Sequence, residues 1–206
     1  MTSGNRTVRI GITGPIGCGK SQVTQWLAEL GVAVVAADAV ARLVTAPGHP
    51  AHDLVLRRFG PTVTRPDGTL DRAALGRQVF ADPALLRELE AIVHPATRPE
   101  IMARIEAAER AGAPAVVLEV IKLVEGGLAG ICDEVWLVTC DAAAQRARLL
   151  ARGMPAADAA QRMAAQAGLA DRLRPAATWV LDTTGSAAET RARVVVRLGE
   201  AIAASR

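Results

Sequence analysis

A run of eight residues, Gly14-Pro15-Ile16-Gly17-Cys18-Gly19-Lys20-Ser21, constrains this chain more than anything else in it. It matches the pattern G-x-x-x-x-G-K-[ST] in full. The apolar, β-branched stretch Val8 to Thr13 precedes it, and Val23, Trp26, Leu27 and Leu30 follow at helical spacing. Strand, glycine-rich turn and helix in that order make a P-loop. The glycines let the backbone curl until several N–H groups point inward, and the helix N-terminus adds about half a positive charge there. Such a loop suits a nucleotide polyphosphate. The expected ATP-binding residues are Gly14, Pro15, Ile16, Gly17, Cys18, Gly19, Lys20, Ser21 and Gln22, with Lys20 reaching the β- and γ-phosphates and Ser21 ligating Mg²⁺. Beside Lys20, the Cys18 thiol is expected to have a lowered pKa, and its alkylation to block ATP binding.

Four further runs are short and mostly apolar: Val32 to Ala36, Ala115 to Val120, Glu134 to Thr139 and Thr178 to Asp182. Strands buried on both faces have this composition, and helical stretches separate them, which predicts a parallel sheet flanked by helices in an α/β fold. Asp141 precedes a helical stretch to Arg152, and Asp82-Pro83 supplies an N-cap followed by proline at the first helical position. Ser186 and Glu189 form a capping-box pattern opening a C-terminal helix towards Ala204, with Val194, Val195, Leu198 and Ile202 near one face. Residues 38 to 112 hold no convincing strand, only helical segments punctuated by Pro47-Gly48, Pro66-Asp67-Gly68 and His94-Pro95. They read as a helical insertion. The helical segment 148–175 carries Arg148, Arg152, Arg162, Arg172 and Arg174, and is either a mobile cationic cover or a solvated hairpin.

Composition removes other classes of function. With 206 residues, 50% of them apolar and 22% charged, the chain has the length of one substantial domain or of a core with helical appendages, and the composition of neither a disordered nor a fibrous protein. Its 3 cysteines share no short paired spacing and its 3 histidines stand away from them, which excludes a disulfide scaffold and a zinc finger. The net charge of +3 suits a small polyanion, whereas 2 Phe, 3 Trp and no Tyr, with no basic run longer than Arg57-Arg58, argue against a nucleic-acid partner. Met1 to Arg9 lacks the apolar stretch of a signal peptide, and no window approaches a membrane span, so a soluble, cytoplasmic protein is expected.

The chemistry then depends on what faces the γ-phosphate. Asp38, just past the second strand, is placed to orient an acceptor hydroxyl and take its proton, or to cap the helix running into Ala41 and Leu43. Glu119 ends the apolar run Val116-Val117-Leu118, as a carboxylate holding magnesium through water or as an ordinary strand-end acid. His94 reads as a packing or positioning residue, and His49 with His52 lack a third zinc ligand. No Asn-Lys-x-Asp motif points to a GTP switch; Asp182-Thr183-Thr184-Gly185 matches D-x-x-G but follows the last strand, where a switch would not lie.

Further motifs follow the P-loop in order: Ala37-Asp38 with Ala41-Arg42 and Pro47-Gly48; Asp67-Gly68-Thr69-Leu70-Asp71-Arg72 with Leu75 and Phe80; Leu89-Glu90 and His94-Pro95; Leu123-Val124-Glu125; Arg148, Arg152 and Gln166; and Val180-Leu181-Asp182. This series, over most of the chain, resembles the dephospho-CoA kinase family. The resemblance implies a P-loop kinase-type core of five parallel strands, a helical coenzyme-A-binding region at 38–112 and a helical lid at 148–175, all in one domain spanning 1–206. It implies ATP with Mg²⁺ and dephospho-CoA as reactants, phosphoryl transfer to the ribose 3′-hydroxyl, and Asp38, Lys20 and Arg148 as catalytic residues, with Arg152 as a further arginine at the nucleotide. Another small-molecule or nucleotide kinase of the same architecture is the alternative. Oligomeric state stays open, a monomer being favoured.

The chain departs from the family pattern in three places. Ala36 stands where the family usually has a second aspartate, leaving Asp38 without a companion; Ile121-Lys122-Leu123-Val124-Glu125 replaces a Pro-Leu-Leu loop; and Ala177-Thr178 replaces Ala-Asp.

Overall fold

The computed structural model describes residues 6–120 and 122–205, so Met1 to Asn5, Ile121 and Arg206 lie outside the described residues. Five strands, β1 (Val8–Thr13), β2 (Ala33–Ala36), β3 (Ala115–Glu119), β4 (Glu134–Thr139) and β5 (Trp179–Asp182), form one sheet in the order β2-β3-β1-β4-β5. The pairings of β1 with β3, β1 with β4 and β4 with β5 are parallel, with Ile10 opposite Val117 and Glu134, and Thr139 opposite Asp182. The expected strands are all present, β2, β3 and β5 each one residue shorter. In such an order the chain leaves central β1 towards one edge and later returns on its other side, which opens a crevice at the C-terminal end of β1.

The chain divides into two compact units, residues 1–35 with 107–206, and residues 36–106. The first holds the sheet. α1 (Lys20–Glu29) follows β1, α6 (Ala142–Ala151) follows β4, α7 (Ala156–Ala165) and α8 (Leu169–Leu173) lie before β5, and α9 (Ala187–Ala204) ends the chain. Val8, Ile10 and Ile12 alternate onto one face and join Val23, Leu27, Val117, Trp136, Val138, Leu181, Val194 and Leu198 in a buried core. Each such side chain contributes about 1.5–3 kcal/mol. The capping box of Ser186 and Glu189 is formed and Asp141 caps α6. On α9 the buried stripe is Thr190, Val194, Leu198 and Ala201; Val195 is exposed, because it stands one residue round the helix from that stripe. Leu30 is likewise exposed, at the C-cap of α1.

The second unit is helical: α2 (Ala37–Val44), α3 (Pro50–Phe59), α4 (Arg72–Ala81) and most of α5 (Pro83–Arg110). Its core is Val55, Phe59, Val63, Leu70, Leu75 and Val79, with Leu85, Leu86, Leu89 and Ile92 against it. Turn chemistry sets the link between α3 and α4. Asp67 accepts from Thr69 N and Oγ1, Gly68 has φ 82°, Thr64 bridges to Leu70, and Asp71 caps α4 through Ala73 N and Ala74 N. Buried His52 bonds the Gly68 carbonyl at 3.0 Å through Nε2, and among the described residues no cluster able to hold a metal includes it. His94-Pro95 does not break the helix: α5 runs through both Pro95 and Pro99. The carbonyls those prolines free belong to Ala91 and Pro95, and Ala91, Pro95 and Pro99 are all exposed, so the helix passes both prolines on its solvent side.

Candidate active site

The turn between β1 and α1 is held by three glycines with positive φ, Gly14 at 139°, Gly17 at 78° and Gly19 at 92°. Gly14 has a second constraint, since a Cβ there would lie 2.1 Å from the Val138 carbonyl oxygen. Gly19 is the N-cap of α1 and no side chain caps that helix, so the positive end of its dipole faces the loop. Lys20 is buried, and its Nζ donates to Gly14 O at 2.7 Å and Pro15 O at 2.8 Å, which keeps the ammonium inside the loop. Gln22 is exposed, 3.4 Å from Gln25.

Glu119 stands opposite Ile12 in the β1–β3 register, at the strand end nearest the loop. Its Oε1 accepts from Ser21 Oγ at 2.9 Å and its Oε2 from Thr24 Oγ1 at 3.1 Å. A hydroxyl and a carboxylate side by side are hard oxygen donors, the kind magnesium takes along with phosphate oxygens and water.

The loop is also gripped from outside. Gln145 Nε2 donates to Ile16 O and Ile16 N donates to Gln166 Oε1, both at 2.7 Å, so two partly buried glutamines of the α6–α7 segment hold both main-chain groups of one loop residue. Arg148, partly buried in the last turn of α6, forks onto Thr183, with Nη1 donating to Oγ1 at 2.8 Å and Nη2 to the carbonyl at 2.5 Å. A Cβ on Gly19 would lie 3.8 Å from Arg148 Nη1, which puts the guanidinium against the loop. Arg152 is the exposed C-cap of α6. Cys18 is buried; a hydrogen bond from Cys140 first, then the charge of Lys20, hold its thiol below the ordinary range, while Cys140 is pushed well above it. The main perturber of Cys18 is thus a second thiol rather than the loop lysine, and burial restricts access of an alkylating reagent.

Among the sequence-predicted residues, the structure brings together Gly14 to Ser21, Arg148 and Glu119 in the sheet unit. Asp38 belongs to the helical unit, exposed in the first turn of α2. It is not a cap: Ala36 holds that position and no side chain caps α2. In the same unit Arg72 donates to Thr45 Oγ1 at 2.8 Å, and a cavity of about 240 Å³ is lined by Ala41, Thr45, Arg72, Leu75, Leu89 and His94 among others. Gln145 and Thr24 escaped sequence reasoning, and Gln166 and Thr183 entered it without a role. Only the P-loop could have pointed to them, as a loop whose main chain needs holding.

The family model for dephospho-CoA kinase matches residues 8–189. The chain belongs to the dephospho-CoA kinase family. It is 50% identical over 186 residues to the dephospho-CoA kinase of Symbiobacterium thermophilum, covering 90% of this chain and 77% of that one. The dephospho-CoA kinase of Geobacter metallireducens is 42% identical over 194 residues, 94% of this chain and 96% of that one. A crystal structure of a Thermus thermophilus protein superposes with a TM-score of 0.79 at 36% identity, covering 95% of this chain and 98% of that one. Membership of the dephospho-CoA kinase family agrees with the parallel sheet and the P-loop at its central strand.

Proposed function

We propose that the chain transfers the γ-phosphoryl group of ATP to the ribose 3′-hydroxyl of dephospho-CoA, yielding ADP and CoA, the last step of coenzyme A synthesis. The observation that carries this reading is the match to the dephospho-CoA kinase family over residues 8–189. The glycine-held loop, with buried Lys20 inside it, supports the nucleotide half of the reaction.

In this reading the amides from Gly17 to Ser21 surround the β-phosphate, and Lys20 exchanges its carbonyl partners for β- and γ-oxygens, a charge-assisted and stronger interaction. Asp38 accepts the proton of the 3′-hydroxyl as its oxygen bonds to the γ-phosphorus and the bond to the β-phosphate oxygen breaks. Its position two residues past β2 fits the tendency of ligands in parallel sheets to gather at the carboxyl ends of strands. Arg148 balances charge on the transferred group, and Arg152 adds a cation at the nucleotide. Ser21, with Glu119 acting through water, would hold Mg²⁺, which neutralises phosphate charge when bound.

Residues 38–112 form the acceptor-binding region, supported by the largely apolar cavity with Arg72 in its wall. Residues 148–175 form the lid, supported by the bond from Ile16 N to Gln166 Oε1 at 2.7 Å. Among the described residues no helix is long and apolar enough to cross a membrane, which fits cytoplasmic placement. A monomer suffices, since every proposed residue lies on one chain.

ADP release in a coupled assay, comparing dephospho-CoA with shikimate, gluconate and nucleoside monophosphates, tests this reading. Turnover confined to dephospho-CoA is the expected outcome; a higher kcat/KM for another acceptor would reassign the chain.

A further inference from the structure

The segment Asp182-Thr183-Thr184-Gly185 closes β5 and matches D-x-x-G, and its two threonines hold α6 at both ends. Thr184 Oγ1 accepts from the backbone N–H of Asp141, the N-cap of α6, at 2.9 Å. Asp182 Oδ1 in turn accepts from Thr184 N at 2.7 Å, which steadies that threonine. At the other end of the helix, Thr183 takes both donors of the Arg148 fork.

Thr183 is buried, and its own N–H is spent on Thr139 O at 2.9 Å, so its backbone is fixed to the end of β4. Its hydroxyl has a single proton. The nearest acceptor is the Cys18 carbonyl of the P-loop at 2.8 Å, ahead of Thr139 O at 3.1 Å. An unbroken path therefore runs from the Arg148 N–H to the Thr183 oxygen, and from the Thr183 O–H to the main chain of the loop. Each bond polarises the next in such a chain, and guanidinium geometry makes a bidentate grip directional as well as attractive. A valine in place of Thr183 would keep the shape but strip a partner from both Arg148 and Cys18 O.

We propose that Thr183 is the positioning residue for Arg148, holding the guanidinium beside Gly19 so that it meets the transferred phosphoryl group without a search through its rotamers. The inference rests on the catalytic reading of Arg148 given above. A pre-set arginine acts where charge develops in the transition state, so its misplacement lowers kcat more than it weakens ATP binding.

A double-mutant cycle tests this with full-length protein and the ADP-release assay. Thr183→Val is expected to lower kcat about tenfold while the KM for ATP changes less than about twofold, and Thr183→Ser, which keeps the hydroxyl, restores most of the rate. In an Arg148→Ala background, Thr183→Val should cost almost nothing more, because the residue it serves is gone. Thr183→Ala supplies the same cycle should the valine variant not fold. Equal losses in both backgrounds, or wild-type kcat in Thr183→Val while Arg148→Ala is impaired, would overturn the positioning role and leave the kinase reading intact. Wild-type kcat in Arg148→Ala would overturn the role of Arg148 itself, and this inference with it.

Discussion

The two units of the chain reach order by opposite means. In the sheet unit, three strands lie almost wholly inside, Ile10, Ile12, Leu118, Trp136 and Leu137 are fully buried, and the functional loop consists of backbone bent where only glycine bends easily. The helical unit has a small apolar core and is tied by local polar devices: the Asp67 turn, the Asp71 cap, and the bonds from His52 to Gly68 and Arg72 to Thr45. A loop made of main-chain amides needs a scaffold that does not yield, whereas side chains on helices, in the acceptor-binding role proposed above, can change residue by residue. Substitutions in the first unit should therefore act on phosphate chemistry, and those in the second on stability and acceptor use.

The largest effect expected is from Lys20→Ala, which should lower turnover about 10³-fold and weaken ATP binding too, since the ammonium serves both ground and transition states. Titration calorimetry with steady-state kinetics checks this, and near-normal activity would break the contrast at its strongest point. Leu75→Ala should destabilise the helical unit by about 3 kcal/mol, through lost burial and a cavity. Hydrogen exchange would then show faster exchange across residues 36–106 with β1, β3 and β4 still protected; uniform loss of protection would mean the units are not energetically separate. Asp38→Asn should lower kcat about 10²-fold and leave ATP affinity nearly unchanged. Unimpaired turnover in that variant would remove Asp38 from the chemistry.

The smallest effect concerns acid. Hydrogen bonds from Ala74 N and Ala73 N hold Asp71 below the usual carboxylate range, and the Thr69 side chain and amide do the same for Asp67. A carboxylate with a depressed folded pKa binds fewer protons folded than unfolded, so its stabilisation is complete above about pH 5 and is lost as pH falls through about 4 and below. Asp71→Asn keeps a capping oxygen that does not titrate. Its melting temperature, followed by circular dichroism between about pH 5 and 3, should vary less than that of the parent chain; identical slopes would show that the Asp71 cap carries none of the acid sensitivity.

What the sequence made legible follows from the range of the interactions. β-branched runs and a glycine-lysine turn are local signals, and the strands and loop stand where those signals put them. His94-Pro95 points to a break because proline usually ends a helix, but the residues whose carbonyls are freed are exposed and the helix continues. The grips of Gln145 and Gln166 on Ile16, and of Thr183 on Cys18, join residues more than a hundred positions apart and leave no local pattern. Asp38 could be singled out by its place after a strand, but its helical position, past the cap rather than at it, needed the backbone geometry.

Transfer of label from γ-phosphate-labelled ATP to dephospho-CoA, with the product located by phosphorus NMR, tests the central claim most directly. The account predicts magnesium-dependent appearance of a monoester at the ribose 3′-position, with one ADP formed for each. Label recovered only as inorganic phosphate, or at any other oxygen of the acceptor, would contradict it.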